Sequence, residues 1–525
     1  MPSGKGRWVR LLLLLSLLVA WAPRRAMSLP LSTSGRWVVD AVSGRRVKLR
    51  CVNWAAHMPA VLAEGLDRKP VDSIAARVVS LGFNCVRLTW ATELFTSPRY
   101  ENLTVAGSLR SLALSSAEVG VAANNPAMAI GEAGLMAVLD NHVTRPKWCC
   151  GGDDGNGFFG DAYFDPEQWL RGLGTVARRF RDHPQVTATA AAATTTGVSL
   201  TSADWYRYVT LGEAVIHDAN PDLLVVVSGL SYDTDLSFLS SRPLPSLLDG
   251  KLVFEIHWYS FPRRREWEAL SPTRVCSDAA VGFEARAGFL VGGGGRSSFP
   301  LFVSEFGVDQ RGEDRADNQF LSCFLAFAAD RDLDWALWAL QGSYYWRNGR
   351  AGFEETYGVL DSDWELPRNP QFQERFRLIQ DMIQDPGSSA PAYQLIYHPL
   401  SGQCLHADGS NNVVLSDCRN RTRWHYAGSG APVFLTNSSL CLRIAGDGLP
   451  VTLSTECGDL HSTWAVISGF HLAAAGTRGR RLCLQSSSPE SSAVLTKDCL
   501  CLVEPVCPEN PQTQWFRLVA SNLEW

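Results

Sequence analysis

The sequence predicts an α/β fold, a (β/α)8 barrel, followed by an all-β domain. Two observations carry this prediction. Over about 350 residues, short apolar runs rich in β-forming residues alternate with helical patterns, which is typical of parallel strands joined by helices. Beyond them, pairs of cysteines recur at similar spacings and a tryptophan follows each pair, which indicates an internal repeat.

Length and composition agree with this division. At 525 residues the chain is too long for one ordinary core, so at least two domains are expected. A hydrophobic content of 46% and a charged content of 19% describe a folded globular protein. The net charge of -5 argues against a nucleic-acid partner. No metal-binding motif is present, so no metal or other cofactor is expected, and no feature indicates an oligomeric state.

Residues 1–28 have the pattern of a secretory signal peptide. Basic residues precede an apolar run from Leu11 to Ala22, and small residues follow at Ala26 and Ser28. The run is too short to span a bilayer, and a buried N-terminal helix is the alternative reading. We therefore expect a secreted protein, extracellular or in the cell wall, without membrane contact after cleavage. In such a compartment the 14 cysteines are expected to form disulfides.

The strands of the predicted barrel are seven β-rich runs: KLRCVNW, NCVRLTW, LMAVLDNHV, DLLVVVSGL, KLVFEIHWYSF, PLFVSEFGV and DWALWALQGS. In this fold, side chains at the carboxyl ends of the strands face the active site. Six polar or aromatic residues occupy such positions: Arg87, His142, His257, Tyr259, Glu305 and Trp338. A single histidine in a strand is more often a satisfied core group. Six side chains with binding or catalytic chemistry at six strand ends, however, predict an active site.

Residues 30–384 resemble a glycoside hydrolase of family 5, in the plant branch that joins such a barrel to a ricin-type domain. The resemblance rests on VNW, GFNCVRLTW, VLDNHV, NGFFGDAYFDPEQWLRGL, FEIHWYSF, LFVSEFGVDQ and WALWALQGSYY. It implies hydrolysis of β-linked oligo- or polysaccharides with retention, by two glutamates. Glu305 matches the nucleophile, and His257 and Tyr259 match residues that hold it. Arg87, His142 and Trp338 match the remaining walls of the sugar-binding subsite.

The second glutamate, the acid/base, belongs in that family to an Asn-Glu pair at the end of the fourth strand. Ungapped counting between Pro184 and Asp204 brings Ala193 and Thr194 to that pair. The stretch Val186 to Ser202 contains no ionisable acid or base. Because a threonine hydroxyl is too weak an acid to shuttle a proton near neutral pH, we expect impaired activity.

Alternatives remain for this slot. Glu213 could swing in from the following helix, or the Ala-Thr tract could be an error in the sequence. The segment between Asn125 and Asp140 is also shorter than the family pattern by most of one helix, which puts folding in question. Two functions therefore compete, a secreted retaining β-glycosidase of reduced activity and a non-catalytic carbohydrate-binding protein.

A linker is predicted at residues 385–392, DPGSSAPA, where proline, glycine and small polar residues cluster. Residues 393–525 then contain three repeats, each opening with Cys-Leu and closing with a tryptophan: Trp424, Trp464 and Trp515. Each repeat is too small to bury a core alone, so the three are expected to share one. The tryptophans are expected to be core anchors.

This tail resembles the ricin-type β-trefoil. The repeats imply one disulfide each: Cys404 with Cys418, Cys441 with Cys457, and Cys483 with Cys499. The sugar-binding aspartate of that family is replaced by His406, Arg443 and Gln485, so we expect the fold without strong lectin activity. Cys501 and Cys507 are expected to close a local loop. The pairing of Cys51, Cys85, Cys149, Cys150, Cys276 and Cys323 is open.

Overall fold

The computed structural model describes residues 30–105, 107–108, 131–149, 155–157, 159–190, 201–245, 248–292, 298–420, 422–476, 479–488 and 491–524. The predicted signal peptide, Ala193 and Thr194 lie outside these ranges. Within them, no helix is both long and apolar enough to cross a membrane.

Eight parallel strands close into a barrel, which confirms the predicted fold class. After a hairpin of β1 (Leu31–Ser34) and β2 (Trp37–Asp40), the barrel strands are β3 (Arg50–Trp54), β4 (Cys85–Ala91), β5 (Met136–Val143), β6 (Val186–Ala190), β7 (Leu224–Val227), β8 (Leu252–His257), β9 (Leu301–Phe306) and β10 (Asp334–Leu337). They pair in sequence order, and β10 closes the ring against β3. Strand β6, which the sequence pattern did not single out, comes from the first residues of the uncharged tract.

The barrel interior has an apolar lower zone. Successive side chains of a strand point to opposite faces, so every second residue faces inward. One buried cluster unites Cys51, Cys85, Met136, Val138, Ala188, Ala190, Leu224, Val226, Val253, Phe302 and Ala336 with Leu31 and Val38 of the β1–β2 hairpin. The hairpin thus closes the end of the barrel at which the strands begin.

Helices cover the outside of the barrel. They are α1 (Val71–Ser80), α2 (Thr92–Thr96), α3 (Pro166–Arg179), α4 (Ser202–Ala219), α5 (Arg264–Ala269), α6 (Pro272–Phe283), α7 (Phe289–Gly292), α8 (Arg315–Arg331) and α9 (Pro370–Gln380). A π-helical turn, Glu284–Gly288, joins α6 to α7, and a hairpin of β11 (Ser343–Arg347) and β12 (Arg350–Glu354) follows the last barrel strand.

Local sequence explains where the longer helices begin. The side chains of Asp165, Thr201, Asp314 and Asn369 each accept a hydrogen bond from a backbone N–H in the first turn of the helix that follows. Such N-caps satisfy donors that have no partner inside the helix. From sequence alone, the short segment at residues 125–140 put folding in question. Strand β5 is present there, and residues 109–130 before it lie outside the described ranges.

The pairings that the sequence left open include two disulfides in the barrel region. Cys51 is joined to Cys85, which links the neighbouring strands β3 and β4, and Cys276 is joined to Cys323, which links α6 to α8. Both bonds tie elements that are far apart in sequence but adjacent in the barrel.

The C-terminal region is all-β and antiparallel, as predicted. Its strands are β13 (Tyr393–His398), β14 (Gln403–Ala407), β15 (Val413–Ser416), β16 (Trp424–Tyr426), β17 (Ala431–Leu435), β18 (Cys441–Arg443), β19 (Thr452–Ser454), β20 (Thr463–Ile467), β21 (His471–Ala475), β22 (Arg481–Ser488), β23 (Ser491–Asp498) and β24 (Arg517–Ser521). Disulfides join the three cysteine pairs named for the repeats, and a fourth joins Cys501 to Cys507.

The three repeat tryptophans are fully buried but are not equivalent. The indole N–H of Trp424 donates to the carbonyl of Leu405 at 3.2 Å, and that of Trp464 donates to the carbonyl of Leu442 at 2.9 Å. Both acceptors lie within the same repeat as the donor. Trp515 instead donates to the hydroxyl of Thr273 in α6, at 3.3 Å, and packs in the core of the barrel region. The third repeat therefore docks the tail onto the barrel.

Polar contacts reinforce this docking along α8. The side chain of Gln512 donates to the carbonyl of Gln319 at 2.9 Å and accepts from the hydroxyl of Ser322 at 3.0 Å. Arg517 pairs with Asp330 at 2.7 Å. Since these groups are buried or half-buried, they hold the tail in one position against the barrel.

A buried charge cluster holds the barrel at the end opposite the strand carboxyl termini. Asp332, at the C-terminus of α8, accepts hydrogen bonds from the side chains of Arg46 and Lys48 and from the backbone N–H of Gln384 at 2.8 Å. Burial alone would raise the pKa of Asp332, but Arg46 and Lys48 outweigh it and the pKa lies below its ordinary value. One carboxylate thereby joins the residues after β2, α8 and the segment after α9.

We expect Asp332→Ala to lower the free energy of unfolding by about 3–5 kcal/mol at neutral pH, because it removes the carboxylate shared by two buried cations and leaves only Asp334, 3.7 Å from Arg46, as a nearby counter-charge. Urea denaturation at pH 7 measures this, with the exposed turn residue Asp249 changed to alanine as the control. The wild-type advantage is present above the ordinary aspartate pKa and is lost as pH falls through the lowered pKa of Asp332. Equal stabilities of Asp332→Ala and wild type at pH 7 would contradict the role given to this cluster.

Candidate active site

A cavity of about 690 Å³ opens at the carboxyl end of the barrel strands. We call it the cleft. Its lining includes five of the six site residues predicted from sequence: His142, His257, Tyr259, Glu305 and Trp338. The sixth, Arg87, lies beneath its floor and is 1% exposed. The strand ends thus bring together residues that are more than two hundred positions apart in the chain.

Glu305 lies at the centre of this group. One carboxylate oxygen accepts from the guanidinium of Arg87 at 2.8 Å, and the other accepts from the hydroxyl of Tyr259 at 3.0 Å. His257 Nε2 is 3.6 Å and His142 Nδ1 is 4.0 Å from the first oxygen. Burial would raise the pKa of Glu305, but His257, Arg87 and His142 outweigh it and lower the pKa below its usual value. The carboxylate is therefore ionised, held at both oxygens and accessible from the cleft.

Arg87 organises the charges beneath the cleft. Its guanidinium lies 3.1 Å from Asp140, 3.6 Å from Glu255 and within hydrogen-bond distance of Glu305. It also donates to the side-chain oxygen of Asn53 at 2.9 Å. Burial alone would lower the pKa of Arg87, but the three carboxylates raise it above its ordinary value. The guanidinium is therefore charged in this interior.

His142 is oriented by Asp140 and by aromatic rings. Its Nδ1 lies 2.7 Å from Asp140, whose pKa is lowered to about 2 because Arg87 and His142 outweigh the effect of burial. The imidazole stacks on Trp338 with ring centroids 5.8 Å apart and packs against His57 at 4.4 Å. The carboxylate of Asp140 and the neighbouring rings thereby fix the orientation of the imidazole.

One end of the cleft is aromatic. Trp338 and Trp148 form an edge-to-face pair with centroids 6.3 Å apart, and the guanidinium of Arg347 lies 3.5 Å above the ring of Trp148. Arg347 is held by Glu355 at 2.9 Å. Flat aromatic faces of this kind contact the apolar face of a sugar ring, while the flanking charged groups hydrogen-bond its hydroxyls.

Sequence reasoning missed several members of the site: Asn53, His57, Asp140, Asp233 and Glu255. A signal for two of them was available. Asp140 precedes His142 by two positions and Glu255 precedes His257 by two, so in each strand both side chains face the barrel interior. Glu255 accepts from the hydroxyl of Ser228 at 2.7 Å, and burial raises its pKa. No comparable pattern marked Asn53 or Asp233.

The structure describes one of the two residues considered for the acid/base position. Strand β6 ends at Ala190, and Thr194 lies outside the described residues. The alternative donor Glu213 lies in α4, as the sequence predicts, and does not line the cleft in the part of the chain that the structure describes. Glu305 is therefore surrounded by Arg87, Tyr259 and two histidines, while the sequence that follows the start of β6 contains no ionisable acid or base as far as Ser202.

Comparisons with known proteins agree with the barrel. The family model for cellulase, glycosyl hydrolase family 5, matches residues 52–343. A glycosyl hydrolase 5 family protein from Chamaecyparis obtusa is 43% identical and covers 98% of this chain and 97% of its own length. An endoglucanase from Paenibacillus polymyxa is 19% identical over 67% of this chain and 87% of its own.

Among solved structures, an endocellulase from Pyrococcus horikoshii in complex with cellotetraose superposes with a TM-score of 0.51 at 17% identity. The match covers 68% of this chain and 99% of that chain. At this level of identity the likeness concerns the fold.

We expect Tyr259→Phe to raise the pKa of Glu305, because it removes a donor that stabilises the ionised carboxylate. The pH dependence of carbodiimide modification, which requires the protonated carboxyl, follows this pKa when the Glu305 peptide is quantified by mass spectrometry. The midpoint should move to higher pH. Tyr357→Phe, which changes a cleft tyrosine without a hydrogen bond to Glu305, is the control and should leave the midpoint in place. An unchanged midpoint in Tyr259→Phe would contradict the assigned contact.

Proposed function

Because the chain belongs to glycosyl hydrolase family 5, we propose that its barrel cleaves β-linked glucans or related β-linked oligosaccharides with retention of configuration. Glu305 is the nucleophile in this proposal. The observation that carries it is the Glu305 carboxylate itself, which Arg87 and Tyr259 hold at both oxygens while it faces the cleft.

The reaction begins with attack of the Glu305 carboxylate on the anomeric carbon of a bound sugar, and the bond to the leaving oxygen breaks. Tyr259 and Arg87 fix the direction of attack, since each bonds one of the two oxygens. The glycosyl ester that forms is then hydrolysed by water. Trp338 and Trp148 supply a platform for the sugar rings, consistent with a linear β-glucan such as the cellotetraose held by the Pyrococcus endocellulase.

Proton transfer limits this reaction. A general acid/base contributes about 10² to 10⁴ in rate, and it is most needed when the leaving group is an unactivated sugar hydroxyl. No ionisable acid or base occurs between Val186 and Ser202, and Thr194 falls in the acid/base slot of the family. We therefore propose impaired activity on natural substrates. The second candidate, a non-catalytic carbohydrate-binding protein, is favoured by this same stretch.

The proposed location is outside the cell, in the extracellular space or the cell wall. The signal-peptide pattern of residues 1–28 supports this, as do the disulfides of the barrel and of the tail. Glycosyl hydrolysis of wall β-glucan would take place in that compartment.

The C-terminal region is proposed to be a β-trefoil that does not bind simple sugars. The three residues at the position of the family's aspartate have protein partners instead. His406 lies 2.6 Å from the hydroxyl of Thr422, Arg443 pairs with Asp459 at 2.9 Å, and Gln485 accepts from Gln514 at 2.8 Å. None of the three offers a carboxylate to sugar hydroxyls.

We expect the full-length protein to cleave 2,4-dinitrophenyl β-cellobioside at a measurable rate and cellotetraose far more slowly, because a dinitrophenolate leaves without protonation. Spectrophotometric and chromatographic assays at neutral pH measure the two rates. Glu305→Gln is the control and should abolish both. Vigorous hydrolysis of cellotetraose would contradict impairment, and no cleavage of the aryl glycoside would favour the non-catalytic alternative.

In the same assays, Ala193→Asn combined with Thr194→Glu should raise cellotetraose hydrolysis by about 10² to 10⁴, because it restores a carboxyl to the slot. Ala193→Asn alone is the matched control.

For the tail, we expect no saturable binding of galactose, lactose or xylose in calorimetric titration of the full-length Glu305→Gln protein. Asp408 lies two positions after His406 in the first repeat. Its side chain already accepts hydrogen bonds within its own turn, from the N–H groups of Ser410 and Asn412 at 2.9 and 3.0 Å. Micromolar binding that Asp408→Ala abolishes would refute this and assign a sugar site to Asp408.

A further inference from the structure

A buried carboxyl group, Asp233, lies directly behind the cleft wall. It follows β7 and is 1% exposed, while its neighbours Tyr232 and Thr234 line the cleft. Ser231, Tyr232 and Asp233 have φ angles of 56, 60 and 56°, three successive residues in the left-handed region. Such conformations are costly for residues other than glycine and cluster at functional sites. The turn is thus built to hold this carboxyl in place.

Asp233 faces one cleft histidine. Its Oδ1 accepts from the backbone N–H of Gly229, and its Oδ2 has no hydrogen bond within the described structure. This Oδ2 lies 3.5 Å from His257 Nε2, which is itself buried without a hydrogen bond. The other ring nitrogen, Nδ1, has no protein partner in the described residues and is not buried there. It is therefore open to the cleft, which the ring lines.

The charges around this pair determine its protonation. Burial and the nearby Glu255 and Glu305 raise the pKa of Asp233 well above its ordinary value, against smaller effects of the Gly229 N–H and Arg87. Burial lowers the pKa of His257 to about 4, with Arg87 and His142 acting in the same direction and Glu305 and Asp140 opposing. These directions favour a proton on the carboxyl of Asp233 and a neutral imidazole at His257. One is a donor and the other an acceptor.

We propose that Asp233 and His257 form a proton relay that partly replaces the missing fourth-strand acid/base, at a lower rate than a carboxyl in that position would give. The proposal rests on the proposed glycosidase function and names the group that protonates the leaving oxygen. In barrel order, β7 and β8 lie between β6, where the family has its acid/base, and β9, which carries Glu305. The pair therefore lies on strands between these two, and His257 Nε2 is 3.6 Å from Glu305.

The relay gives up one proton in the first step of the reaction and takes one back in the second. In the first, Glu305 bonds to the anomeric carbon, the glycosidic bond breaks, and the leaving oxygen takes the proton from Nδ1 of His257. Nε2 receives the proton of Asp233, which becomes a carboxylate. In the second, water gives a proton to Nδ1 as its oxygen displaces Glu305, and Nε2 returns its proton to Asp233. The pair ends as it began, and the imidazole changes only its tautomer.

Other buried acids near the cleft do not fit this task. Asp140 has a pKa of about 2 and holds Arg87 and His142, so it has no proton to give. Glu255 is held by Ser228 and lies near Arg87 below the cleft, which it does not line. Glu355 lines the cleft but is paired with Arg347 at 2.9 Å and accepts from Tyr344, so Asp233 is, among the described residues, the acid with a raised pKa that adjoins a cleft histidine.

The test compares two leaving groups in full-length wild type and Asp233→Asn, which keeps the size of the side chain but has no acidic proton. With phenyl β-cellobioside, whose leaving group needs a proton, we expect the rate to fall by about 10² or more. With 2,4-dinitrophenyl β-cellobioside, formation of the glycosyl ester should change no more than a few-fold. Asp235→Asn, in the same loop and bonded to the N–H of Ser237 at 2.8 Å, is the matched control and should behave as wild type.

The pH profile separates a relay from a structural role. For phenyl β-cellobioside, the wild-type rate should fall as pH rises through the elevated pKa of Asp233, and this basic limb should be absent with the dinitrophenyl substrate. Trapping of Glu305 by a 2-deoxy-2-fluoro cellobioside, read by mass spectrometry, verifies that a variant has a folded site. If Asp233→Asn does not fold, His257→Gln and the wild-type profile serve in its place.

Each outcome is decisive. A folded Asp233→Asn or His257→Gln protein with the wild-type rate on phenyl β-cellobioside overturns the relay, as does a wild-type profile without the basic limb or a wild type that cleaves only the dinitrophenyl substrate. A wild type that cleaves neither aryl glycoside overturns the proposed function instead. A selective loss on the phenyl substrate supports the relay.

Discussion

The site depends on one buried cation, Arg87. Its guanidinium is the shared partner of Asp140, Glu255 and Glu305, three carboxyl groups that strands from different parts of the barrel bring together. Without the cation, these groups would repel one another and would take up protons, because burial disfavours charged carboxylates. Arg87 keeps Asp140 and Glu305 ionised, and Asp140 in turn orients His142.

The barrel interior that supports Arg87 is divided into two zones by the period of the strands. Lower inward positions are apolar, as with Met136 and Val138, and the next inward positions on the same strand, Asp140 and His142, are polar. The apolar zone excludes water from below, which strengthens the electrostatic contacts above it. The β1–β2 hairpin and the ion pairs of Asp332 close the opposite end, so the polar zone opens only toward the cleft.

Protonation differs sharply between neighbouring groups in this small volume. His257 and Arg87 lower the pKa of Glu305, while burial raises the pKa of Asp233. Two carboxyl groups with opposite protonation are what a retaining glycosidase requires of its nucleophile and its acid.

The sequence by itself determined the fold class and much of the site. Strand-like runs with a polar residue at the end predict a parallel barrel, and in such a barrel the ends of all strands meet at one mouth. The positions of Arg87, His142, His257, Tyr259, Glu305 and Trp338 follow from that rule together with their motifs. The cysteine and tryptophan repeat likewise predicted an antiparallel C-terminal region, because regular spacing is a local property of the chain.

Tertiary structure decided what depends on contacts between distant strands. The pairing of Cys51 with Cys85, the docking of Trp515 on Thr273 and the protonation of Asp233 each require a neighbour that is remote in sequence. Periodicity shows that Asp140 and Glu255 face inward, but not that one guanidinium lies between them. The physical reason is that burial and Coulomb interactions depend on distances that exist only once the barrel has closed.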